Sequence, residues 1–119
     1  MSFFKISLLL KKNILMPKNW SDEELEASVR CYLEMKNKEL NGINFSKIDY
    51  YRDLSNKYER SEKSFEYRMQ NISFVFAELG REWVSGLKPA KNVGSNVFEK
   101  ILKIIKKIEK ENPHQVKIT

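Results

Sequence analysis

Apolar residues in the middle of this chain recur at helical spacing, and polar caps cut the pattern into four segments. In the first, Leu25, Val29, Tyr32, Leu33 and Leu40 lay one stripe along a rod, the three-and-four spacing that buries one face of an α-helix. Ser21 and Glu24 stand ahead of it at capping-box spacing, with Trp20 and Leu25 at the positions of a hydrophobic staple. Asp22, Glu23, Glu24 and Glu26 crowd the positive end of its dipole and Asn41-Gly42 ends it, so the pattern predicts a helix over about 22–40. A second start at Ser46 has Asp49 three residues on and Phe45 and Tyr50 as its staple. It opens a short helix over about 47–58 whose expected buried side is Ile48, Tyr51, Leu54 and Tyr58.

The third segment has the cleanest period, with Phe65, Met69, Ile72, Phe76 and Leu79 between a Ser61 cap and Gly80. That set is the expected core, which turns Lys63, Tyr67, Gln70, Asn71 and Phe74 to the opposite side, with Arg68 and Val75 on one flank. Gln70 and Asn71 are therefore expected to face outward. Only ERSEKS separates the second and third segments, without Gly or Pro, which demands the sharp bend of a helix-turn-helix. After Gly80, Gly86, Pro89 and Gly94 prevent a regular helix, while Trp83, Val84 and Leu87 are expected to pack back on the domain. A fourth helix is predicted from a Ser95 cap to Asn112-Pro113, with Val97, Ile101, Ile104, Ile105 and Ile108 on one face. Lys100, Lys103, Lys106, Lys107 and Lys110 form its cationic rim.

The expected fold is all-α: a three-helix helix-turn-helix bundle with an additional C-terminal amphipathic helix. Its parts are an N-terminal arm (1–16), a head domain (17–94) and a basic helix with its tail (95–119). The arm reads equally as a segment upstream of an alternative start at Met16 and as a short strand or helix covering the core. Lys5 and Lys11-Lys12 break its apolar runs, and no small-residue cleavage site follows, so neither a signal peptide nor a membrane span is expected.

Composition changes the picture in one respect. With 119 residues the chain suits a single domain, and its net charge of +6 suggests a polyanionic partner. Divided along the chain, the charge is +3 over residues 1–16, −1 over 17–88 and +4 over 89–119, so the excess sits in the two arms. Cys31 is the single cysteine, which excludes an intrachain disulfide and suits a reducing cytoplasm; among Val29, Tyr32 and Leu33 it reads as a small apolar filler. His114, the sole histidine, follows a proline in a polar tail, and neither GxGxxG nor a P-loop occurs. No resident enzymatic activity, cofactor, metal or small-molecule substrate is expected.

Binding is the remaining chemistry. Asn and Gln amides can each meet an adenine edge with a donor and an acceptor. Gln70 and Asn71 are the candidate readers on the third helix, with Tyr67 as a flat surface and Arg60, Ser61, Lys63, Ser64 and Arg68 beside them. Lys88 and Lys91 form a candidate phosphate-contacting arm. The alternative is a protein interface through Phe74, Ile101, Ile105 and Ile108, joining a nuclease or a second copy of the chain. For the isoleucine stripe, packing against protein is preferred to lying on a membrane.

Three strings carry a resemblance: WSDEELEASVRCYLEM, RSEKSFEYRMQNISFVFAELG and GLKPAKNVG. Over about residues 19–94 the chain resembles the N-terminal head domain of McrA-like HNH restriction endonucleases, most specifically from Arg60 to Ser73. The resemblance implies a restriction or defence setting and double-stranded DNA, modified or not, as the ultimate ligand. The family's cutting activity does not carry over, because no histidine-bearing HNH segment is present. A weaker similarity to Myb-like three-helix domains also puts Ser61–Leu79 where a recognition helix would lie.

Overall fold

The computed structural model describes residues 19–112; the expectations for the N-terminal arm and for His114 lie outside them. Four helices follow in order: α1 (Asp22–Leu40), α2 (Lys47–Tyr58), α3 (Glu62–Glu78) and α4 (Ser95–Glu111). The fold is all-α, with no strand among the described residues.

The caps explain the boundaries. Ser21 and Glu24 form a complete capping box: the Glu24 amide donates to Ser21 Oγ at 3.1 Å, and the Ser21 amide donates to Glu24 Oε1 at 2.9 Å. Gly42, at φ +66°, carries the chain out of α1 in a conformation that costs other residues more. Between α2 and α3 no glycine is available. Glu59 itself adopts the left-handed conformation, at φ 56°, and the turn is fastened by Ser55 Oγ donating to the Arg60 carbonyl. One start differs from expectation. Gly94 is the cap of α4, with no side-chain hydrogen bond, and Ser95 is its first helical residue.

The core joins Val29, Tyr32, Leu33 and Met35 of α1 to Phe65, Met69, Ile72, Val75 and Phe76 of α3. Tyr51 and Leu54 close it from α2, and Ile101, Ile105 and Ile108 from α4. The isoleucine stripe is thus spent inside the molecule, which removes Ile101, Ile105 and Ile108 as an interface: each is nearly or wholly inaccessible. Tyr32 and Phe76 stack with centroids 5.4 Å apart. The Tyr32 hydroxyl, buried with them, shares a 2.8 Å hydrogen bond with Ser73 Oγ and accepts from the Val84 amide at 3.0 Å. The loop after α3 is thereby drawn onto the bundle, burying Val84 and Leu87 but leaving Trp83 exposed, contrary to expectation. Leu40, Ile48 and Leu79 also lie exposed; each sits at a helix end, where the apolar stripe outruns its neighbours.

Three ion pairs, Asp22–Lys100, Glu26–Lys107 and Arg30–Glu111, rise together along α1 and α4, so these helices run parallel. The Lys107 and Arg30 hydrogen bonds hold the Glu26 carboxyl below its ordinary pKa. Part of the α4 lysine rim is accordingly neutralised within the molecule, while Lys103, Lys106 and Lys110 remain exposed. Among the described residues no helix is long and apolar enough to cross a membrane.

Candidate nucleic-acid interface

Ser61 caps α3 by accepting the Ser64 amide at 3.1 Å, and the two hydroxyls lie 2.9 Å apart, so both serine side chains serve the cap. From there the outer side of α3 carries exposed Lys63 and Tyr67 and half-buried Gln70 at successive turns. One turn on, Phe74 is half-buried and meets Phe98 of α4 edge-on at 6.0 Å, which places it under α4 instead of on an open interface.

Asn71 does not face outward, and the expectation that it does is corrected. Its side chain is fully buried: Nδ2 donates to the Ala90 carbonyl at 2.7 Å, and Oδ1 accepts from Arg68 Nη1 at 3.1 Å. The Ala90 amide in turn donates to the Gln70 carbonyl at 3.0 Å. Two adjacent residues of α3 thus pin Ala90 by both its backbone groups, and Lys88 and Lys91 on either side of it are exposed. The structure places Lys63, Tyr67 and Gln70 on one side of α3 and fastens the loop that carries the two lysines to that helix at Gln70 and Asn71.

Arg60 is likewise withdrawn from the surface. Its Nε donates to Glu24 Oε2 at 2.8 Å and its Nη2 to the Asn19 carbonyl at 2.7 Å, with the side chain only 10% exposed. This ties the α2–α3 turn to the capping box of α1, so the cation expected to hold phosphate is already matched. Trp20 is the residue that sequence reasoning placed incompletely. Beyond any staple with Leu25, its ring meets Phe65 edge-on at 5.1 Å and lies 4.1 Å from the Arg60 guanidinium and 4.5 Å from that of Arg68. No sequence spacing signals this, because the partners stand some forty residues away.

Cys31, half-buried in the α1 wall, has its thiol pushed up to about 11, chiefly by burial and then by Glu34 and Asp53. A thiol so shifted is a poor nucleophile at neutral pH. Exposed Glu62 and Glu66 alternate with Lys63 and Tyr67, so the α3 surface carries both signs. No family model matches this chain, and neither a curated protein nor a solved structure matches it.

Proposed function

We propose that the chain is a non-catalytic module that binds double-stranded DNA in a restriction or defence setting in the cytoplasm. In this reading α2 and α3 act as a helix-turn-helix pair. α3 enters the major groove with Tyr67 and Gln70 towards base edges, and Lys63, Lys88 and Lys91 meet phosphates. The observation that carries the reading is the stripe of exposed Lys63 and Tyr67 and half-buried Gln70 on α3, with a lysine-bearing loop fixed to the same helix through Ala90. The resemblance of Arg60–Ser73 to McrA-like head domains supports DNA as the ligand. Titration of the full chain with a mixed duplex pool at two salt concentrations tests it. A monomer whose affinity falls steeply with salt supports the reading, and absence of binding at low salt overturns it.

A second reading, an interaction module joining a nuclease or a second copy, draws on a different surface from the isoleucine stripe. Leu40, Ile43, Ile48 and Trp83 are each more than 40% exposed. The Ser85 amide donates to both Glu39 carboxylate oxygens, at 3.1 and 3.2 Å, which holds Trp83 near the Leu40 end of α1. Sedimentation of the free protein separates the readings: a stable dimer indifferent to duplex favours the second.

A further inference from the structure

Arginine pairing in this chain has one exception. Arg30 meets Glu26 and Glu111, Arg52 meets Asp49, Arg60 meets Glu24 and Arg81 meets Glu109. Arg68 has no carboxylate partner among the described residues. Because every aspartate and glutamate of the chain falls between Asp22 and Glu111, all of them lie within that range. Yet Arg68 is more withdrawn from water than Arg30 or Arg52: the residue is half-buried, and its Nε is buried with no hydrogen-bond partner.

Desolvating a guanidinium without a counter-charge is unfavourable, and its surroundings deepen the effect. Burial first, and then the neighbouring charge of Arg60, hold its pKa below the ordinary arginine value. Its orientation is fixed from two sides, by the Trp20 ring at 4.5 Å and by the bond from Nη1 to Asn71 Oδ1. The other end of the same Asn71 amide holds Ala90, on the loop that carries the exposed Lys88 and Lys91. The neighbouring cation Arg60 is matched by Glu24, which leaves the Arg68 guanidinium held in place without a carboxylate of its own.

We propose that Arg68, backed by Lys88 and Lys91, is a binding site for a phosphate-type oxyanion. A tetrahedral anion offers several acceptor oxygens to the guanidinium N–H groups that the Asn71 bond leaves over, and it supplies the charge the fold omits. The source is a DNA backbone phosphate or a free phosphate; the inference rests on the DNA reading only for the first of these.

The test follows the Arg68 Nε–H resonance of the full chain during titration with inorganic phosphate, against chloride at equal ionic strength. The expected result is a saturable shift specific to phosphate. Arg68→Gln is expected to weaken phosphate binding by roughly tenfold or more. Should that variant fail to fold, Lys88→Ala/Lys91→Ala alters only exposed side chains and is expected to weaken it severalfold. A resonance that ignores phosphate, or an affinity unchanged in the lysine variant, overturns the proposal. Duplex added to the phosphate complex separates the sources. Displacement of phosphate from Arg68 assigns the site to the DNA backbone, whereas phosphate binding without duplex binding supports a free oxyanion and sinks the DNA reading alone. Duplex binding that leaves an Arg68 signal insensitive to phosphate and duplex alike sinks this site and spares that reading.

Discussion

Asn71 fastens a loop where it was expected to meet a ligand: its Nδ2 donates to the Ala90 carbonyl at 2.7 Å, beside the 3.0 Å bond from the Ala90 amide to the Gln70 carbonyl. Truncation to alanine leaves the Ala90 carbonyl and an Arg68 N–H without their partner in a buried setting. Asn71→Ala should therefore lower unfolding stability by about 1–3 kcal/mol in denaturant titration. Its effect on DNA should run through the loosened lysine loop, weakening all duplexes alike. A reordered preference among duplex sequences would restore Asn71 as a reader.

The helix boundaries were legible because caps are local. Ser21, Ser46 and Ser61 each accept a backbone amide three residues on, and those spacings stand in the sequence. Ser95 failed as a cap because Gly94 occupies the boundary with extended geometry, and nothing in the sequence separates neighbouring candidates. The α3 period correctly assigned Phe65, Met69, Ile72 and Phe76 to the core. It could not show that the 84–91 connector folds back onto α3, where Asn71 is buried and bonded to the Ala90 carbonyl. Val75, apolar on a flank read as outer, was the available hint. Arg60 was misread for a related reason: its partner Glu24 lies on another helix, and Glu24 was fully explained by its cap.

Glu24 therefore has two tasks, closing the α1 capping box and matching Arg60, in a pair whose side chains are 2% and 10% exposed. Removing one member of such a pair strands the other. Arg60→Ala should destabilise the protein by roughly 3–5 kcal/mol, far more than a surface arginine such as Arg52. Chemical denaturation of the two variants side by side measures the difference, and equal small effects would place Arg60 in solvent.

Two buried tyrosines should respond oppositely to loss of the hydroxyl. Tyr32 OH is matched by Ser73 Oγ and the Val84 amide, so Tyr32→Phe should cost about 1–3 kcal/mol. Tyr51 OH is buried with no hydrogen-bond partner among the described residues, so Tyr51→Phe should be neutral or stabilising by up to about 1 kcal/mol. Their alkaline behaviour is shared. Burial pushes both phenols from 10.0 up to about 12, so the unfolded chain loses these protons first. Stability from this source is complete below pH 10 and falls as pH rises towards 12. Each Phe variant should flatten that decline in thermal unfolding.

Gln70 and the loop lysines make separable contributions if α3 lies in a groove. An amide that meets a base edge contributes discrimination of roughly 1–3 kcal/mol, whereas a lysine on phosphate contributes affinity without regard to sequence. Gln70→Ala should therefore compress the spread between preferred and disfavoured duplexes while leaving the salt dependence unchanged. Lys88→Ala/Lys91→Ala should weaken every duplex and lower the slope of log affinity against log salt by about two, close to one for each phosphate that is no longer neutralised. Both lysines are exposed and Gln70 is half-exposed, so neither substitution disturbs the core and either effect stands apart from loss of fold. Fluorescence anisotropy over a duplex panel at three salt concentrations distinguishes them, and identical profiles for the two variants would mean that α3 reads nothing.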